Sequence, residues 1–376
     1  MYSLNFSHNL ANLRRKKKLT QKELADFIGV TKASVSKWEN KQSLPDILLL
    51  PQLASFLDVS IDELLGYEAQ LSREQIQKLY VELASDYTRL PFNEVMNKSR
   101  ELVRRYYSCY SFLLQICILW LNHFPLAKDH DEQQRILHEA VTLCEHIEEN
   151  CKVIDICNDA ITVKAVFNLQ LGKAEEVIEA LEMIADPTRI YHQSDSILAQ
   201  AYLTVGDLDK AKSYTQINMY LHVISLITTA VQYLAIHMDD PAVCEKTIKK
   251  TEGLIRLYDL NNLHPNSAAQ FFYQAALVYI THGEKEKALG MLNQYVQVVR
   301  VLFTHEHALL HGDAYFDRLD EWISKLDLGA SPPRNMRLVA KSVLESFKHP
   351  LLTALQDDLE FKRIQRELTE GVKYYE

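Results

Sequence analysis

Residues 31–40, TKASVSKWEN, set Thr31, Lys32, Ala33, Ser34, Ser36 and Lys37 around the apolar pair Val35 and Trp38. At helical spacing the apolar pair falls on one side and the short polar and basic residues on the other. A helix apolar behind and short-polar in front suits entry into the major groove of DNA. Lysine donates to guanine, hydroxyls pair with either base class, and the Ala33 methyl can pack on a thymine methyl. Gln21 adds an amide at the start of the preceding helical pattern. Arg15 to Lys18 and Lys41 flank the segment, where cations meet phosphates and set position without reading sequence.

Five short helical patterns position these groups. One follows Asn5-Phe6-Ser7 and ends near Lys18. Thr20 with Glu23 three residues on forms a capping box for the second. Gly29 falls where that helix must end in a tight turn. Thr31 caps the third pattern, Asp46 opens the fourth and Ser60 the fifth. Leu24, Ala25, Ile28, Val30, Val35 and Trp38 form the apolar set of two helices meeting steeply, with Ala25 small at the approach. A five-helix bundle used only for protein contacts is the competing reading.

The stretch from Leu13 to Leu65, with TQKELA, the Gly29-Val30 turn, SVSKWEN and SIDELL, resembles the Cro/repressor-like (Xre) family of helix-turn-helix domains. The resemblance covers about the first 66 residues. It implies that Gln21 contacts DNA, that Lys32, Ala33 and Lys37 face base edges, and that Arg14 and Glu39 form an ion pair bridging the first and third helices. Ala33 cannot hydrogen-bond, and lysine replaces glutamine at two reading positions, so no relative's operator carries over.

The whole chain of 376 residues is too long for one small reader domain. Residues 1–67 hold nine Lys/Arg and seven Asp/Glu, a net +2; the total of −9 leaves −11 on the remainder. A weakly basic head on an acidic body suits contact with DNA at one end only. Ten glycines in 376 residues, recurrent i, i+3, i+4 apolar spacing and no sustained two-residue alternation predict an all-α fold. The six cysteines (109, 117, 144, 151, 157, 244) include no C-x-x-C pair and read as reduced core thiols in the cytoplasm. No signal peptide is expected. The most apolar run, 112–121, is too short to span a membrane and reads as a buried helix. No two glycines stand closer than seven residues and no G-x-S-x-G occurs, so no phosphate loop, catalytic residue, cofactor or enzyme activity is expected.

The organisation expected is a helix-turn-helix domain over 1–66, linker helices over 67–104, a repeat domain over 105–348 and a capping helix over 349–376. The linker helices run about 73–88 and 92–122, with Ile76, Leu79, Leu83 and Tyr87 on one stripe. They either connect domains or pack on a second protomer. Gly172, Gly206 and Asp240 stand 34 residues apart, and Gly283 follows after 43. Ala165, Ala199 and Ala276 each precede a turn Gly by seven, and Ala211 and Ala288 follow one by five. Small residues on both arms of a hairpin at this period resemble the tetratricopeptide repeat, whose hairpins stack into a concave α-solenoid. Degenerate pairs are expected near 105–148 and 305–348. A generic helical array with a chance period is the alternative.

With the turn Gly as a ruler, the inner wall would carry Asp159, Thr162, Val166 and Gln170; Gln193, Ser196, Gln200 and Thr204; Ile227, Ala230, Leu234 and His237; Gln270, Tyr273, Leu277 and Thr281. Amides and hydroxyls among apolar groups suit a short, mostly apolar extended peptide, and the wall is not basic enough for nucleic acid. Tyr273 and Phe272 are expected to divide between groove and core. His305, His307 and His311 precede Asp313, and His307 and His311 stand one helical turn apart, a spacing that can chelate a metal; the order lacks H-E-x-x-H, and the histidines read as surface or interface groups, with no metal expected.

Head and array together resemble the bacterial peptide-pheromone receptor regulators, the group of the Rgg, PlcR and PrgX proteins. That resemblance implies a cytoplasmic homodimer that binds an imported peptide in its groove, often through an Asn. Asn122 and Asn158 are the candidates, and each fits a helix cap or a satisfied surface amide equally well. The expected function is a dimeric, sequence-specific transcription regulator on a double-stranded operator, controlled by a short hydrophobic signalling peptide, with no membrane partner. The alternative is a regulator whose repeats are a protein-interaction or dimerisation module with no small ligand.

Overall fold

The computed structural model describes residues 5–67, 70–182, 194–304 and 310–375. Among these every regular element is a helix, with no strand. The head comprises α1 (Phe6–Lys16), α2 (Gln21–Ile28), α3 (Lys32–Glu39), α4 (Leu50–Leu57) and α5 (Ile61–Leu65). Its ends follow the local chemistry. Thr20 and Glu23 close the capping box, Thr31 Oγ1 accepts from the Ser34 N–H, and Ser60 caps α5. Asp46 caps a 3-10 turn, Ile47–Leu49, that leads into α4. Gly29 ends α2 at φ 78°, which a residue with a Cβ rarely adopts. Phe6, Leu10, Leu24, Val35, Leu53 and Leu64 are fully buried in a core of the head's own.

The segment expected as linker helices is the first hairpin of the body instead. α6 (Arg73–Asp86) buries Ile76, Tyr80 and Leu83, and α7 (Phe92–Arg105) buries Val95 and Met96. Both join one core with α8 (Tyr110–His123), α9 (His130–Asn150) and α10 (Ile154–Gln170). The single helix expected over 92–122 is broken at 106–109. There Tyr106 and Cys109 are buried, and Cys109 Sγ accepts the Leu71 N–H at 3.4 Å.

The turn glycines do what their spacing asks. Gly172 (φ 75°) lies between α10 and α11 (Ala174–Leu181), and Gly206 (φ 80°) between α12 (Ser194–Thr204) and α13 (Leu208–Ile236). After α14 (Pro241–Leu257) and the single turn α15 (Leu260–Leu263), Gly283 (φ 74°) lies between α16 (Pro265–Thr281) and α17 (Lys285–Leu302). Ala165, Ala211, Ala276 and Ala288 are buried where the arms approach. The period itself breaks in the middle. α13 is one helix of 29 residues, because no Gly or Pro interrupts 208–236, and it runs through the place where one hairpin should end and the next begin. Tyr220, Ile227 and Leu234, seven apart, bury one stripe of it in the second body core with α14, α16 and α17. α13 is also long and apolar enough, at mean hydropathy 1.5, to cross a membrane by length and composition alone, a feature the sequence reading passed over.

Over the described residues 310–348, the pair expected near 305–348 does not form a hairpin. Residues 310–335 hold only the five-residue α18 (Leu319–Ile323), because Gly312, Gly329, Pro332 and Pro333 interrupt the chain. α19 (Met336–Ser346) follows. This irregular strap joins the two body cores. Gln77 Nε2 donates to Leu328 O at 2.9 Å, Tyr80 Oη to Pro333 O at 3.0 Å and Gln115 Nε2 to Asp327 Oδ2 at 2.8 Å, while Gln216 Nε2 donates to Tyr315 O at 2.8 Å. α20 (Leu359–Val372) buries Phe361, Ile364, Leu368 and Val372 and packs on α17.

Candidate nucleic-acid interface and ligand cavity

A bidentate ion pair holds the outward helix of the head. Arg14 Nε donates to Glu39 Oε1 at 2.6 Å and Nη2 to Oε2 at 2.9 Å, while Nη1 donates to Leu19 O at 2.7 Å. The two side chains are only 10% and 6% exposed. Burial alone would push the Glu39 carboxyl up. Hydrogen bonds from Arg14 and Gln21, with the charge of Arg14, outweigh it and hold the carboxyl below its ordinary range. Gln21 Nε2 donates to Glu39 Oε2 at 2.8 Å, which uses one of its two amide N–H groups and leaves the other and the carbonyl oxygen for a further contact. The network clamps the start of α2 and the end of α3 onto α1.

The clamp leaves Lys32, Ala33 and Lys37 exposed together along α3, with Lys41 exposed in the turn beyond. Thr31 and Ser34 are exposed or half-buried and spend hydrogen bonds on each other: Oγ1 and Oγ lie 2.9 Å apart. Ser36 is half-buried and its carbonyl accepts from Asn40 Nδ2 at 2.9 Å. The free reading chemistry therefore concentrates on the two lysines and the Ala33 methyl. Sequence reasoning missed an apolar shoulder beside α3, where Leu44, Ile47 and Leu48 are exposed in the approach to α4.

In the body, a cavity of about 630 Å³ opens among α16, α17, α19 and the end of α8, a size typical of ligand pockets. Asn122, Gln270 and Tyr273 all line it. Tyr273 Oη donates to Ser346 O at 2.8 Å and Tyr295 Oη lies 3.3 Å from Ser346 Oγ, so the aromatic wall is fixed to α19. Burial raises the Tyr273 hydroxyl to about 12, which keeps it a neutral donor. Asn122 Nδ2 donates to Ile118 O at 2.9 Å within its own helix.

The other expected groove residues lie elsewhere. Asn158, Thr162 and Gln200 are exposed on α10 and α12 away from the cavity; Thr162 Oγ1 donates to Asn158 O at 3.0 Å. His237, just past the end of α13, lies tilted against Tyr233 with ring centroids 4.1 Å apart and does not line the cavity. Gln193 lies outside the described residues. Ile227, Leu234 and Leu277 are buried in the core, not on an inner wall, because α13 packs directly on α16. Phe272 is in that core while Tyr273 lines the cavity, the division the sequence suggested. Sequence reasoning missed Arg334, His264 and Ser346, which also line it.

His305 and His307 lie outside the described residues. His311 Nδ1 is 2.8 Å from Gly312 O, and Asp313 Oδ1 caps the Tyr315 and Phe316 N–H groups. Among the described residues no group of three or more His, Cys, Asp or Glu is placed to hold a metal. The cysteines are free thiols; burial pushes the Cys117 thiol well up, which makes it a poor nucleophile.

Residues 10–64 match the family model described as Helix-turn-helix. Similar curated proteins include the HTH-type transcriptional activator BcrR of Enterococcus faecalis, 34% identical over 83 residues, which are 20% of this chain and 41% of that protein. The uncharacterized HTH-type transcriptional regulator YqaE of Bacillus subtilis is 41% identical over 64 residues, 17% of this chain and 55% of that protein. The cryptic phage CTXphi transcriptional repressor RstR of Vibrio cholerae is 35% identical over 83 residues, 20% of this chain and 74% of that protein. The chain thus spans about half the length of the first two relatives. No solved structure matches it.

Proposed function

Because the chain belongs to the helix-turn-helix family of transcriptional regulators, whose named relatives are not enzymes, we propose that it is a sequence-specific DNA-binding regulator acting as a cytoplasmic homodimer under the control of a short apolar peptide. The observation that carries the DNA reading is the α3 face. Lys32, Ala33 and Lys37 are exposed in a row, and the helix behind them is locked by the buried Arg14–Glu39 pair. Gln21, Thr31, Ser34, Ser36 and Lys41 border that row and supply backbone contacts. An activator and a repressor stand among the relatives, so the head alone does not set the sign of the output.

The peptide reading is supported by the cavity, where Asn122, Gln270 and Tyr273 offer amide and hydroxyl chemistry among apolar walls. The homodimer reading is supported by α13. Beside its buried stripe, Met219, Leu226 and Tyr233 form a second seven-residue stripe that is exposed, and Ile236 continues the exposed apolar surface at the helix end. A heptad seam of this kind suits a second copy. The same stripe favours, as a second reading, a body that serves only dimerisation or protein contacts.

The test is retention of genomic fragments by the purified full chain, followed by footprinting. Enrichment of a two-fold sequence protected in the major groove is expected. Retention of no fragment above a random-sequence control sinks the regulatory reading.

A further inference from the structure

The charges around the body cavity are lopsided. Arg334 is the one formally charged side chain among its described lining residues, and no Asp or Glu lines it, in a chain of net charge −9. Arg334 is half-buried. Its Nε is sealed from solvent with no hydrogen-bond partner, and no carboxylate among the described residues pairs with it. A guanidinium stays ionised in proteins, so this is a cation partly stripped of water without a counter-charge. Burial works against it, pulling its pKa down.

A second feature adds positive potential at the same place. Arg334 immediately precedes α19, whose N-cap is Asn335, and Met336 and Val339 of its first turn line the cavity. The N-terminal end of an 11-residue helix favours an anion. The remaining wall is apolar or neutral: Leu302, Pro332, Val343 and Tyr295 lie near the amides of Asn122 and Gln270.

We propose that this cavity takes a ligand with an apolar body and a single carboxylate, which pairs with the Arg334 guanidinium in bidentate fashion. On the peptide reading given above, on which this identification of the source rests, the carboxylate is the free C terminus of the peptide. Planar two-point pairing with a carboxylate is what guanidinium does better than ammonium. The ligand supplies the counter-charge the protein withholds, and Asn122 and Gln270 are left for peptide groups.

The experiment uses the full chain and three probes: a synthetic octapeptide library drawn from Leu, Ile, Val, Phe and Gly with free C termini, the same library amidated, and decanoate. Bound species are counted by native mass spectrometry and affinities measured by calorimetry. The free-acid library should be retained at least tenfold better than the amidated one. Arg334→Gln should remove that preference and Arg334→Lys should restore only part of it, with the circular-dichroism melt checking that each variant folds. The comparison of acid with amide on the wild-type protein needs no variant, so a misfolded mutant leaves the test intact. Equal retention of acid and amide libraries overturns the carboxylate assignment and keeps the peptide reading. Decanoate held in an Arg334-dependent way, with neither library bound, keeps the carboxylate site and removes the peptide. Retention of none of the three overturns both.

Discussion

Lys32 and Lys37 differ from the other head cations in what surrounds them: both stand on the exposed face of α3, while Arg14 is spent on Glu39. If each lysine donates to a base, replacing it with Ala should cost about 1–3 kcal/mol on the cognate operator and little on random DNA. Gel-shift titration at fixed salt reads the difference, and an equal loss on both sequences reassigns the lysine to phosphate. Arg14→Ala acts on folding instead. Removing one partner of a fully buried pair costs about 3–5 kcal/mol, and some solvent access here lowers the expectation to about 2 kcal/mol. Hydrogen exchange in residues 6–40 of the full chain should rise accordingly; unchanged exchange would mean the clamp contributes nothing. The same pair sets a pH dependence. The folded Glu39 carboxyl titrates below its unfolded value, so its stabilisation is complete above the unfolded pKa, about 4.3, and is lost as pH falls through the lower folded value. Glu39→Gln should flatten that acid limb, seen as protection factors of the same segment, relative to intrinsic exchange at each pH, that no longer fall as the pH is lowered.

Helix ends separate what the sequence discloses from what it hides. Thr20, Gly29, Thr31 and Ser60 act on neighbours within a few residues, so their types alone located α2, α3 and α5. Two glycines in the same left-handed conformation should nevertheless differ in tolerance. A Cβ at Gly29 meets nothing within 4 Å, so Gly29→Ala costs only backbone strain, about 1–2 kcal/mol. A Cβ at Gly66 would sit 2.8 Å from Asn9 Nδ2 and 3.1 Å from Asn5 Cβ, so Gly66→Ala should cost more, in thermal or urea unfolding of the head. A Gly66→Ala loss no larger than that at Gly29 would mean α1 yields freely. In the body the local rule failed where elements meet at long range. Counting back from the Asp240 turn puts Leu234 on an inner wall, but the hairpin break expected ahead of it is absent and α13 runs through as one helix packed on α16. Leu234 is fully buried, so Leu234→Ala should cost about 2–5 kcal/mol in stability while leaving the cavity's lining intact. Arg334 was illegible for the same reason: Asn122, Gln270 and Arg334 converge only because the strap 310–335 crosses between two cores, and no period in the sequence encodes that crossing.

At the scale of the molecule, one head on one body explains little about control; two heads held at a set distance explain more. Half-sites on a two-fold operator lie one helical turn, about 34 Å, apart or at multiples of it, and a dimer that holds its heads at that spacing binds both at once. The second contact is then intramolecular, and joining two sites can raise overall affinity about 10²–10⁴-fold without any new contact to DNA. The exposed stripe Met219, Leu226 and Tyr233 is the surface on which that gain depends in the proposed dimer. Leu226→Glu places a charge in the middle of the seam, 52% exposed in the single chain and hence inexpensive for the fold itself. The full-length variant should sediment as a monomer with an unchanged melting temperature. Its affinity for a single half-site should match wild type, and its affinity for the paired operator should fall at least a hundredfold. A variant that remains dimeric places the interface elsewhere. A monomeric variant with undiminished paired-site affinity would mean that the heads bind independently, and ligand control by head spacing would then have no structural basis.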